Sequence, residues 1–252
     1  MSRMTYSIGL AGKGGTGKTT VAGLLIKYLV ENGKVPILAV DADSNANLNE
    51  VLGLEVRETL GEAREEMKQG VATGMTKDIF MEMKLEQAVV EAKGFDLIVM
   101  GRPEGPGCYC AANTLLTTYL DRLMHNYAYV VMDNEAGMEH ISRLTTNNIN
   151  LLLVISDPTR RGIQSAARIF ELTKTLGLEI DRKLLIVNQA KEGQQEEIQR
   201  TVERFRLDLS GIIPEDGQIR DFDLAGKPTT ELGEDSRALQ AAFAIFENIL
   251  RA

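Results

Sequence analysis

With 252 residues, 44% of them hydrophobic, the chain is long enough to bury the core of one large α/β domain. A formal charge of −8 supplies no basic field for a polyanion, which argues against non-specific binding to nucleic acid or to an anionic membrane. No apolar run approaches the roughly 20 residues that cross a bilayer, and the opening MSRMTYSIGLAGKGG lacks the ordered regions of a secretory signal.

The first apolar, β-branched run opens at Thr5 and continues to Leu10; a glycine loop and a helical pattern over Thr19 to Asn32 follow it. Further strand-like runs cover Pro36 to Val40, Phe95 to Met100, Tyr129 to Met132, Leu151 to Ile155, Lys183 to Val187 and Gly211 to Ile213. Helical spacing recurs over Ala111 to Asn126, Ile163 to Leu176, Gln194 to Phe205 and Ser236 to Leu250. Runs this apolar suit strands covered on both faces, with the helices as crossovers. The expected fold is therefore a doubly wound α/β domain spanning residues 1–252, with a mostly parallel sheet of seven or eight strands. The stretch Thr59 to Gly94 is charged and helical in pattern, and it reads as an insertion between the second and third strands, most simply a solvated helical pair.

Gly12, Lys13, Gly14, Gly15, Thr16, Gly17, Lys18, Thr19 and Thr20 spell GKGGTGKTT directly after a strand and before a helix. In that context the glycines let backbone N–H groups and the helix N-terminus face phosphate oxygens. Lys18 then neutralises the β and γ phosphates of a bound nucleotide, and the Thr19 hydroxyl ligates Mg²⁺. The second run ends in Asp41-Ala42-Asp43 and the fourth in Asp133-Asn134-Glu135-Ala136-Gly137, so carboxylates stand at the carboxyl ends of strands, where ligands bind in open α/β sheets. Asn188 ends the sixth run, and its amide can pair with the N6 and N7 edge of adenine; Pro214 and Asp216 follow the seventh.

The second lysine of the glycine loop, Lys13, makes the sequence resemble the deviant Walker ATPases over most of its length. The resemblance implies a dimer in which Lys13 reaches the partner's nucleotide, acting as an arginine finger does. It further implies that Asp43 orients the attacking water, Asp41 supports the magnesium region, Asp133 is the Walker B carboxylate, Gly137 follows the γ-phosphate, and Asn188 reads adenine with Pro214 and Asp216 beside it.

The loop GPGCYCAAN holds both cysteines, Cys108 and Cys110, just before a helix, where the helix dipole favours thiolates. Two cysteines one residue apart cannot build a disulfide framework, and a reducing, cytoplasmic setting would keep them free for a metal. They supply half of a four-sulfur set, which a two-fold axis would complete; tetrahedral sulfur suits zinc and square-planar sulfur nickel. With GKGGTGKTT, DADSN and MDNEAGMEH, this loop is similar to the CooC/AcsF group of nickel-insertion ATPases. That resemblance implies an ATP-dependent homodimer that captures nickel, or zinc, between paired cysteine motifs and serves carbon monoxide dehydrogenase or acetyl-CoA synthase. His125 reads as structural and His140 as a link between nucleotide and metal loop.

Two rivals share the glycine loop. A MinD/ParA-type adaptor wants a basic amphipathic terminus, whereas the helix from Glu234 to Ala252 carries as much acid as base on its polar face and reads as a docking helix. An iron–sulfur reductase takes its cysteines from separate loops, whereas here both come from one.

Overall fold

The computed structural model describes residues 5–43, 47–70, 74–101, 110–134, 149–175 and 179–251. Strand β1 (Tyr6–Gly12) leads into helix α1 (Lys18–Glu31), followed by β2 (Ile37–Ala42) and the short α2 (Leu48–Leu52). Then come α3 (Leu60–Gln69), α4 (Lys77–Ala88), the two-residue β3 (Val90–Glu91), β4 (Phe95–Val99), α5 (Cys110–Met124) and β5 (Tyr129–Asn134). The remainder comprises β6 (Ile149–Ser156), α6 (Arg160–Thr175), β7 (Ile180–Ala190), α7 (Gln195–Phe205), β8 (Leu209–Pro214), α8 (Gly217–Leu224), a 3₁₀ turn (Thr229–Glu231) and α9 (Arg237–Arg251).

The strands form one eight-stranded sheet in the order β3-β4-β2-β5-β1-β6-β7-β8, parallel throughout except for the antiparallel β3–β4 edge. The doubly wound α/β expectation holds. Both faces of the sheet are covered, which is why its strands read as unbroken apolar runs. On one face α4 to α7 pack over residues such as Leu38, Met132, Val154 and Val187; on the other α1, α2 and α9 pack over Ile8, Ala39, Val131 and Ile186. Phe246 of α9, 1% exposed, and Phe243 both stack on Tyr28 of α1, the latter edge-on at 5.3 Å. The apolar stripe of the last helix is thus spent on the core.

The helical pair of residues 59–94 is not free in solvent, a correction to the simplest reading of its charged sequence. Leu60, Met67, Phe80, Met81, Leu85 and Ala88 enter the core cluster, while Glu62, Glu66, Asp78, Glu82 and Glu86 stay exposed. Lys84 of α4 pairs with Glu66 of α3 at 2.7 Å and with Glu58, tying the two helices and their entry loop together. Thr59 and Glu62 form a capping box at the start of α3, and the Gly61 N–H donates to the carbonyl of Met100 at 2.8 Å. The first turn of the pair is therefore anchored where β4 ends.

Candidate functional site

Gly12 of β1 lies in register with Ile155 of β6, and a Cβ at Gly12 would stand 2.3 Å from the Ile155 carbonyl oxygen. Only glycine lets the chain leave the sheet there. The loop that follows is braced from within: the Thr16 hydroxyl donates to the Lys13 carbonyl at 2.9 Å, and the Lys18 ammonium donates to the same oxygen at 3.4 Å. Thr16 and Lys18 are 1% and 7% exposed, whereas the Lys13 side chain is exposed. Gly17, at φ 82°, ends the loop and begins α1 without a capping side chain, so the first N–H groups of the helix are left for an anion.

A cleft of about 1510 Å³ opens on this loop. Gly14, Gly15, Gly17, Lys18, Thr19, Thr20, Asp43, Asn188, Pro214 and Asp216, all predicted site residues, line it together. Asp41 and Asp133, neighbours in register on β2 and β5, are buried one layer behind, at 0% and 1% exposure. Each Asp41 oxygen accepts a backbone N–H, from Asp43 at 3.1 Å and from Leu48 at 3.0 Å, so this carboxylate holds the loop after β2 rather than facing the cleft. Burial, only partly offset by those two bonds, pushes its carboxyl up to about 6.

Burial also pushes Asp133 up to about 7; the Thr19 hydroxyl and the Lys18 charge pull it down, while Asp41 and Asp43 push it further up. One Asp133 oxygen is buried without a hydrogen-bond partner among the described residues. An unpartnered, buried carboxylate oxygen beside a threonine hydroxyl is a hard-oxygen donor set that fits a magnesium ion.

Asn188 sits at the end of β7, where the pairing with β8 slips between Val187 and Ala190 and Gln189 adopts φ 60°. Its Nδ2 donates to the Thr16 carbonyl at 2.9 Å, joining two positions 172 residues apart. Asp216 lines the cleft and is also held by the fold. It caps α8 through the Gln218 N–H at 2.9 Å and accepts from the Ser236 hydroxyl at 2.8 Å and the Ala238 N–H at 3.1 Å. Burial alone would raise its carboxyl; these bonds outweigh that and hold it below the usual range. Such a group stabilises the fold at pH values above its unfolded pKa, and the contribution fades as pH falls through the folded value. Asp216→Ala is accordingly expected to lower stability by about 1–2 kcal/mol at pH 7, with the gap from wild type closing in acid, as urea melts at a series of pH values would show.

Asn47, Glu50, Gln189, Arg220 and Lys227 also line the cleft and were not predicted; no local motif marks them. Gly137, Cys108 and His140 lie outside the described residues. Cys110 is the first residue of α5, and nothing of the loop between β4 and this helix beyond Gly101 lies within the described residues. His125 is exposed and its Nδ1 lies 2.7 Å from the Asp121 carbonyl at the end of α5, as a structural histidine would. Among the described residues no group of three or more His, Cys, Asp or Glu is placed to hold a metal, and no helix is long and apolar enough to cross a membrane.

Comparison with known proteins agrees with this geometry. Residues 8–229 match the CobQ/CobB/MinD/ParA nucleotide binding domain. An uncharacterized ATP-binding protein of Methanocaldococcus jannaschii is 40% identical, over 96% of this chain and 98% of its own. The carbon monoxide dehydrogenase accessory protein CooC of Rhodospirillum rubrum is 31% identical, over 93% of this chain and 95% of its own. Among solved structures, the septum site-determining protein MinD of Pyrococcus horikoshii, complexed with Mg-ADP, superposes with a TM-score of 0.72 at 25% identity, over 98% of this chain and 96% of that one. The chain belongs to the CobQ/CobB/MinD/ParA nucleotide-binding family and is a P-loop ATPase of the MinD/ParA kind.

Proposed function

We propose that this ATPase is a cytoplasmic, homodimeric metallochaperone that takes nickel as cargo and delivers it to a carbon monoxide dehydrogenase or acetyl-CoA synthase. In this reading Lys18, Thr19 and Thr20 hold the phosphates and Asp43 orients the attacking water. Lys13 completes the partner's site, Gly137 follows the γ-phosphate, and Asn188 reads the base with Pro214 and Asp216 beside it. Thr19 and Asp133 would hold magnesium, which when bound neutralises phosphate charge.

The observation that carries the cargo assignment is the position of Cys110. It opens α5, the helix that follows β4, and β4 lies three strand positions from β1 in the sheet. A two-fold axis pairing CxC motifs would build a four-thiolate site for nickel, with zinc as competitor. The likeness to CooC supports the same assignment. The burial of Leu239 and Phe246 of α9 in the core speaks against a membrane adaptor that uses this helix as its anchor.

Anaerobic titration with Ni²⁺ and Zn²⁺, following bound metal and dimer fraction, tests the reading. Wild type is expected to bind one ion per dimer and Cys108→Ser/Cys110→Ser none. Binding that survives the double substitution would remove the metal assignment and leave the ATPase.

A further inference from the structure

Helix α6 begins with charges that its own dipole disfavours. Arg160 and Arg161 occupy its first turn, which holds no acidic residue, although the amino end of a helix is its positive end. Both are exposed, and neither forms an ion pair or a side-chain hydrogen bond with any described residue. The turn is built without them. The Asp157 carboxylate accepts the Thr159 N–H at 2.8 Å, and the Thr159 hydroxyl caps the helix through the Gly162 N–H at 3.0 Å. A Cβ at Gly162 would stand 2.4 Å from the Asp157 carboxylate, so glycine lets that side chain turn in. Nothing in the described fold uses the two arginines.

Their place gives them a task. Strand β6 pairs with β1, Ile155 opposite Gly12, so the loop before the arginines and the loop holding Lys13 leave adjacent strands at one edge of the sheet. The Lys13 side chain is exposed as well, which gathers three cations there in a chain of net charge −8. The cleft is charged the other way. Six carboxylates line it against three cations, Lys18, Arg220 and Lys227. Four of the six, Glu50, Glu55, Glu215 and Asp223, are exposed and in no ion pair with any described residue. A Mg-nucleotide is itself an anion, so a single copy is short of positive charge at the mouth of the cleft. We infer that a second copy of this chain supplies it, Arg160 and Arg161 of each protomer meeting the acidic lip of its partner's cleft. The inference rests on the reading of a nucleotide-dependent homodimer in which Lys13 crosses to the partner, and adds the contact that holds the two copies together. A two-fold axis makes that contact twice, once on each side.

Sedimentation velocity with Mg²⁺ and the non-hydrolysable analogue AMPPNP tests the contact. Wild type is expected to dimerise, with a dissociation constant that rises at least about tenfold between about 0.05 and 0.5 M NaCl. Arg160→Glu/Arg161→Glu is expected to weaken dimerisation at least about a hundredfold. Without nucleotide the same variant is expected to melt about 2–4 °C above wild type, because acids suit the first turn of a helix. A lower melting temperature would show that the arginines serve the fold, and overturns the inference, as does dimerisation equal to wild type. Reversal of the lip, as Glu50→Lys/Glu55→Lys and as Glu215→Lys/Asp223→Lys, is expected in at least one form to block self-association. An equimolar mixture of that lip variant with the arginine variant is expected to form the heterodimer that neither forms with itself, since both contacts then join opposite charges. If neither lip variant pairs with the arginine variant, the lip is not the acceptor and the inference fails. A wild-type dimer indifferent to charge reversal sinks the arginine contact alone, whereas failure of wild type to dimerise sinks the homodimer with it.

Discussion

Lys18→Ala is expected to cut ATP hydrolysis by about 10³-fold while leaving a folded protein. Lys18 is the buried cation of the phosphate loop, 7% exposed, and it is held toward the Lys13 carbonyl at the long distance of 3.4 Å. A bond that long leaves the ammonium able to turn to a stronger acceptor, and a phosphate oxygen is one. Lys18 also lies among Asp41, Asp43 and Asp133, where its charge draws the Asp133 carboxyl down against burial and the two neighbouring acids. Its removal takes away the charge that a transferring phosphoryl group needs and raises the Asp133 carboxyl further. The fold should tolerate the change, because alanine keeps the first turn of α1 and deletes a side chain whose head makes one weak bond. Steady-state phosphate release, with circular dichroism as the control for folding, gives the answer; hydrolysis within threefold of wild type would show that Lys18 is not the phosphate-binding lysine.

Gly12→Ala should act on the fold itself. Overlap with the Ile155 carbonyl at 2.3 Å is overlap with the backbone of a central strand, and a side chain could yield where β6 cannot. Thr16 Oγ1 stands 3.2 Å from the same point, so the loop is pressed as the sheet is. A loss of about 3 kcal/mol is expected, lowering Tm by about 6–12 °C for a chain of this size, together with weakened nucleotide binding. Scanning calorimetry with and without Mg-ADP separates the two effects; an unchanged melting temperature would mean that β1 and β6 do not meet as described.

The phosphate loop was legible because its chemistry is local: glycines, a lysine and a threonine in one run, between an apolar strand and a helix. The acids at strand ends were legible for the same reason, since parallel strands deliver their last residues to one edge. What each acid does was not. Asp41 and Asp43 differ by two positions in sequence, yet only the first is buried with both oxygens on backbone N–H groups, and nothing in DAD says which. Asn188 and Thr16 meet across 172 residues, and Asp216 reaches Ser236 and Ala238, so their bonds depend on the topology. Helix α8 is only eight residues long and sets just Ile219 and Phe222 against the core, too short an apolar stripe to read from sequence, yet it brings Arg220 and Asp223 to the cleft. The edge strand β3 is two residues long, below the reach of any periodicity.

Lys13 divides its duties between main chain and side chain. Its carbonyl oxygen is the common acceptor inside the phosphate loop, a service that any amino acid compatible with the turn could render, while its side chain stands in solvent. A codon change there leaves the monomer's architecture nearly untouched. Selection for foldability is therefore blind to this position, and whatever the ammonium does can be lost or regained in one mutational step without passing through an unstable intermediate.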